Sequence, residues 1–144
     1  MISWRDELRR DLMRHEGCVL HAYPDSKGYL TIGIGRLIDK RRGGGISQQE
    51  AEYLFDNDVE RVLTALNQQL EWFHRMPDRK KRALANMAFQ MGINGLLGFR
   101  RMLAAVRRGD WTRARAEALD SDWARKDTAR RALEVANMLG EDFP

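Results

Sequence analysis

An α+β fold is predicted from three observations. Helical periodicity dominates the chain, the stretch between Cys18 and Ile38 switches to β-forming residues, and a glycine-rich break, Arg41-Arg42-Gly43-Gly44-Gly45, separates that stretch from a long amphipathic run. At 144 residues, 43% hydrophobic and 32% charged, the composition is that of one globular unit, or two small lobes sharing a core.

Ser3-Trp4-Arg5-Asp6 has the form of a capping box, and Trp4, Leu8 and Leu12 recur every fourth residue, so a first helix is expected from about Trp4 to His15. Gly17 should end it. Tyr23, Tyr29, Thr31, Ile32 and Ile34 then favour strands around a turn, Pro24-Asp25-Ser26-Lys27-Gly28, which predicts a hairpin or a small three-stranded sheet. Arg41 to Gly45 reads as a linker, and Ser47-Gln48-Gln49-Glu50 is a second capping box. Ala51, Leu54, Phe55, Val59, Val62, Leu63, Leu66 and Leu70 keep a helical period for about seven turns, the length of a helix that bridges two lobes. Pro77 and Asp78 suit the start of another helix with Leu84, Met87, Ala88 and Met91 as its buried stripe. Shorter helices are expected around Phe99 to Arg107, Asp110 to Asp122 and Asp127 to Leu139. The plan is a small β lobe over about residues 14–46, a connecting helix over about 47–72, and a helical lobe over about 73–144 that also takes in the first helix.

Charge is unevenly spread. From Arg75 to Arg131 there are fifteen Lys and Arg against six Asp and Glu, a local surplus of nine, which reads either as solvated helix faces or as a preference for a polyanion. The tryptophans and phenylalanines fall on helical core spacing, which argues against a nucleic-acid partner. Cys18, beside Val19 and Leu20, is expected to be a buried structural thiol, and a single cysteine makes no internal disulfide. His15, His21 and His74 show no metal-ligand spacing, so neither metal nor other cofactor is expected. The charged N-terminal segment MISWRDELRRDLMRH is neither a secretion signal nor a membrane span, so the expected place of synthesis is the cytoplasm.

Glu16 closes the first helix and Asp25 lies nine residues on, in a polar turn, with Thr31 following in the ribbon. Cleavage of a glycosidic bond needs a proton for the leaving oxygen and a nucleophile at the anomeric carbon. The negative end of a helix dipole favours a protonated carboxyl, which suits Glu16 to general-acid work, while Asp25 among Ser26, Lys27 and Gly28 suits the ionised partner. Thr31 offers a hydroxyl that can hold a water jointly with Asp25, which favours inversion over a covalent intermediate. Gly33 and Gly35 read as ribbon glycines where sugar approaches the backbone.

Glu16-Gly17 followed by Tyr23-Pro24-Asp25-Ser26-Lys27-Gly28-Tyr29-Leu30-Thr31-Ile32-Gly33-Ile34-Gly35 resembles the phage lysozyme family of endolysins and muramidases. The blocks Glu50 to Val59, Asn86-Met87-Ala88-Phe89-Gln90-Met91-Gly92 and Gly98-Phe99 are similar to the family too, as are Trp111 and Trp123, twelve apart. The resemblance implies a lysozyme-like fold and a hydrolase that cuts the β-1,4 bond between N-acetylmuramic acid and N-acetylglucosamine in peptidoglycan. It makes Glu16 the general acid and gives the attacking water to Asp25 and Thr31. Leu37, Phe89, Gln90, Gly92, Met102 and Glu117 fall at positions where the family binds substrate. An arginine of the last helix should pair with Glu16; Arg130 is the first candidate and Arg131 the second, because the match there slips by one. Where the family has a histidine paired with an acid of the long helix, this chain has Arg36, so an Arg36–Asp58 ion pair is expected. The segment from Lys40 to Ile46 is shorter than in the family, which implies a smaller lobe with a more open rim.

The resemblance further implies an endolysin that acts as a monomer on the periplasmic cell wall of its bacterial host, released by a separate holin. Two rival readings remain. A non-catalytic polyanion- or wall-binding module would keep the basic face without needing Glu16, Asp25 and Thr31. A lytic transglycosylase would use one acid and need no water-holding pair.

Overall fold

The Ser3 hydroxyl accepts the Asp6 N–H and the Asp6 carboxylate accepts the Ser3 N–H, so the capping box closes on both sides and starts α1 (Trp4–Glu16). Gly17, at φ 71°, donates its N–H to the Met13 carbonyl and stops the helix. In this computed structural model residues 1–140 are described, Asp127 by its backbone alone. No residue of α1 is buried, and its apolar stripe of Trp4, Leu8 and Leu12 is exposed.

Three strands follow: β1 (Val19–Pro24), β2 (Leu30–Gly33) and β3 (Arg36–Leu37), antiparallel in the order β1-β2-β3. Thr31 in the central strand faces Tyr23 on one side and Leu37 on the other, and β1 bulges between Val19 and Tyr23. Cys18 precedes β1 and is exposed, against the expectation of a buried thiol; its position outside the ladder leaves no sheet face to cover it.

The expected linker at Arg41 to Gly45 is a closed turn. The Gly44 N–H donates to the Arg41 carbonyl at 2.8 Å and the Gly45 N–H to the Leu37 carbonyl at 3.0 Å, folding the segment back onto β3. Gly44 is required there, because a Cβ would stand 2.3 Å from the Asp39 carbonyl oxygen.

The second capping box also forms, Ser47 Oγ accepting from the Glu50 N–H and Glu50 from the Ser47 N–H, and it opens α2 (Gln48–Gln69). A 3-10 turn (Phe73–Arg75) leads to α3 (Asp78–Leu97), α4 (Arg100–Arg107), α5 (Trp111–Leu119), a π turn (Trp123–Asp127) and α6 (Ala129–Gly140). Gly92, at φ 78° and ψ 163°, breaks the helical path inside α3.

The chain divides into two compact units, Met1–Tyr53 and Leu54–Pro144. In the second, α6 packs on α5 and α3, and α4 on α5. Leu66, Leu84, Met87, Leu96, Met102, Val106, Val135 and Leu139 fill its core. Lys80 is buried there as well, its ammonium donating to the Met138 carbonyl at 3.0 Å and lying 4.9 Å from the Trp111 ring centre. No helix among the described residues is long and apolar enough to cross a membrane.

Candidate active site

Glu16 is the last residue of α1, and its carboxyl lies against Gly35, the glycine between β2 and β3. A methyl group on Gly35 would stand 2.8 Å from both Cδ and Oε2 of Glu16. Gly35 also sits at φ 71°, a conformation that favours glycine on its own account. A role in seating an acid was not legible in the Gly-Ile-Gly motif, which sequence reasoning assigned to sugar approach. The only signal was a glycine where the ribbon turns.

Asp25 occupies the turn between β1 and β2. Its Oδ1 accepts N–H bonds from Lys27 at 2.9 Å and Tyr29 at 2.8 Å, and its own N–H donates to the Tyr29 carbonyl at 2.8 Å. Gly28, at φ 82°, closes the turn by donating to the Asp25 carbonyl. Thr31 is buried and its hydroxyl donates to the same Tyr29 carbonyl at 3.0 Å. Tyr29 is therefore the hub of the acid and the hydroxyl. With Oδ1 holding two donors and the Thr31 proton committed, what remains for a ligand is acceptor capacity, at Asp25 Oδ2 and on the Thr31 oxygen.

Two ion pairs flank the ribbon. Arg36 bonds Glu50 at 2.8 Å and the Gly45 carbonyl at 3.4 Å. Arg36, then the Ser47 N–H and hydroxyl, hold the Glu50 carboxyl down at about 2. Asp58, the partner expected for Arg36, bonds Arg61 one turn along α2. The correction follows from the cap: Glu50 is held in place by Ser47 at the start of α2, beside the turn that ends at Gly45, so it meets Arg36 first. On the other flank the Arg41 guanidinium pairs with Asp39 and lies 3.4 Å from the Tyr29 ring centre. That pairing keeps the Asp39 carboxyl below the ordinary carboxylate range.

The remaining expected residues fall in separate places. Leu37 is half-buried in β3. Phe89 is 43% exposed, edge-on to Phe55 with ring centres 5.7 Å apart, and with Gly92, Asp58 and Val62 it lines a cavity of about 420 Å³. Gln90 accepts from the Trp123 indole N–H at 3.0 Å and donates to the Thr128 hydroxyl at 3.2 Å. Met102 and Glu117 line a different cavity of about 570 Å³, with Met102 buried and Glu117 bonded to Arg113 at 2.7 Å. Arg131 commits its guanidinium to Asn86, 2.9 Å from Oδ1, while Arg130 is exposed on α6.

A sequence model of the phage lysozyme family matches residues 13–135, from the last turn of α1 to α6. The chain belongs to the phage lysozyme family. This is the class of lysozyme-type peptidoglycan hydrolases, and the matched stretch contains Glu16, Asp25 and Thr31. The chain is 32% identical to the pre-baseplate central spike protein Gp5 of Enterobacteria phage T4, over 96% of its own length but only 28% of that protein's. It is 29% identical to a probable T4-type lysozyme of Dictyostelium discoideum, covering 90% of this chain and 92% of the relative. An endolysin of Acyrthosiphon pisum secondary endosymbiont phage 1 is 26% identical over 85% of this chain and 82% of its own.

Proposed function

We propose that the chain is an N-acetylmuramidase that cuts the β-1,4 bond between N-acetylmuramic acid and N-acetylglucosamine with inversion. Glu16 gives its proton to the leaving oxygen. A water donates one hydrogen to Asp25 Oδ2 and the other to the Thr31 oxygen, which leaves a lone pair free for the anomeric carbon. The observation that carries this reading is the shared Tyr29 hub, which commits the Thr31 proton and Asp25 Oδ1 so that both groups meet water as acceptors. Leu37, Phe89, Gly92, Met102 and Glu117 are proposed to line the path of the glycan and its peptides, and Arg130 to meet Glu16, since Arg131 is engaged by Asn86.

The physiological role proposed with it is that of an endolysin, acting as a monomer on the host wall after a holin lets it out of the cytoplasm. The likeness to the spike protein favours a second reading, in which the same chemistry serves as a module of a longer structural protein. Mass spectrometry of purified virions decides between them, since the endolysin reading expects none of this chain in the particle.

Purified peptidoglycan is the test substrate. Glu16→Gln should lower kcat about a hundredfold or more, the usual contribution of a positioned general acid, with an unchanged thermal midpoint. Asp25→Asn should do likewise. The first anomer released, read by NMR, should be inverted. On outer-membrane-permeabilised bacteria, full clearing by Glu16→Gln would assign lysis to the basic helices instead, and anhydro-muropeptides released from peptidoglycan would assign a transglycosylase.

A further inference from the structure

Tyr29 binds both halves of the water-holding pair through its backbone, while its side chain is not buried. Tyr29 is 44% exposed, and the residue before it is a glycine at φ 82°. Any rotation of Tyr29 moves the Asp25 Oδ1 bond, the Asp25 N–H bond and the Thr31 hydroxyl bond together. What covers the ring is the guanidinium of Arg41, 3.4 Å from its centre.

Arg41 is itself held at two points by one residue: its backbone N–H donates to Asp39 Oδ1 at 3.0 Å and its guanidinium pairs with Oδ2. The turn that presents it is closed onto β3 by the Gly44 and Gly45 bonds. Asp39 first, then the neighbouring Tyr29 and Asp25, favour its charged form, so the cation is within electrostatic reach of the water-holding acid.

We propose that Arg41 is a positioning residue for hydrolysis: stacked on Tyr29 and anchored by Asp39, it clamps the hub from which Asp25 and Thr31 hold the attacking water. The proposal rests on the roles given to Asp25 and Thr31 above. The segment that sequence reasoning took for a linker thus acts on the reaction through Tyr29. A planar guanidinium is suited to this, because it stacks on a ring while its edge bonds a carboxylate.

The test compares Arg41→Gln, Tyr29→Phe, Tyr29→Leu and the Arg41→Gln/Tyr29→Leu double variant on purified peptidoglycan. Misplacing a reacting group by a fraction of an ångström is costly, so Arg41→Gln should lower kcat about tenfold at nearly unchanged KM and thermal midpoint. Tyr29→Phe keeps the ring, so amide exchange at positions 27 and 29 should stay as slow as in wild type. Tyr29→Leu should fall as far as Arg41→Gln, and the double variant no further, because the clamp is one unit.

A second readout needs no activity: in Arg41→Gln the Tyr29 and Lys27 amide protons should exchange with solvent about tenfold faster by NMR. Wild-type kcat in Arg41→Gln, a loss confined to KM, losses that multiply in the double variant, or unchanged exchange at Tyr29 would each overturn the clamp. If wild type leaves peptidoglycan intact, the muramidase reading fails, and the exchange measurement still decides whether Arg41 holds Tyr29.

Discussion

The two units are held by different forces. Among the described residues every buried apolar side chain, from Leu66 to Leu139, belongs to Leu54–Pro144, whereas in Met1–Tyr53 the one buried side chain is the polar Thr31. The helical unit is organised by apolar burial, which is non-directional and tolerant of detail. The unit with the candidate acids is organised by directional contacts: two capping boxes, an Asp25 turn, glycines at positive φ, and the Arg36–Glu50 and Arg41–Asp39 pairs. A catalytic group needs a fixed direction more than a deep core, and hydrogen bonds supply direction where burial does not.

The contrast predicts opposite responses to mutation. Leu84 is fully buried in α3, so Leu84→Ala should cost about 2–5 kcal/mol of stability, read by denaturant unfolding, with kcat per folded molecule unchanged. Glycines of the other unit should show a smaller cost in stability and a separable cost in activity. Gly33 and Gly35 have nearly the same φ, 69° and 71°, but a Cβ on Gly33 meets nothing within 4 Å, while one on Gly35 meets the Glu16 carboxyl. Gly33→Ala and Gly35→Ala should therefore each lose about 1–2 kcal/mol to backbone strain, and only Gly35→Ala should also lose about tenfold or more in kcat. Equal activity in the two variants would detach Gly35 from the seating of Glu16.

The smallest effect concerns Glu50. Its carboxyl is held at about 2 in the folded chain against 4.5 ordinarily, so the tie to Arg36 contributes fully above pH 4.5 and is lost as the pH falls toward 2. Both partners are exposed, and the effect is correspondingly slight. NMR shifts of Arg36, Gly45 and Ser47 should titrate with a midpoint of about 2 in wild type and stay flat in Glu50→Gln; a flat wild type would show that the tie does not order the turn.

Much of this was legible in the chain. The capping boxes at Ser3 and Ser47, the stop at Gly17 and the hairpin turn at Asp25 are signals between residues two to four apart, and each formed as read. Glu16, Asp25 and Thr31 stood out because they lie in the stretch from Glu16 to Gly35 that resembles the family. The long helix ended at Gln69 rather than near residue 72, where the chain tightens into the turn before Pro77. Cys18 was misread because apolar neighbours along a sequence do not say which side chains a fold will cover.

Sequence by itself determined which elements form, where they start and stop, and which acids stand at the helix end and in the turn, because those choices are made by propensity and by hydrogen bonds that close within a few residues. Only the tertiary structure decided that Gly35 seats Glu16, that Glu50 takes Arg36, and that Arg41 covers Tyr29. Those contacts join residues twelve to nineteen positions apart. At that distance the partner is chosen by the path of the backbone between them, and a pattern along the chain does not contain that path.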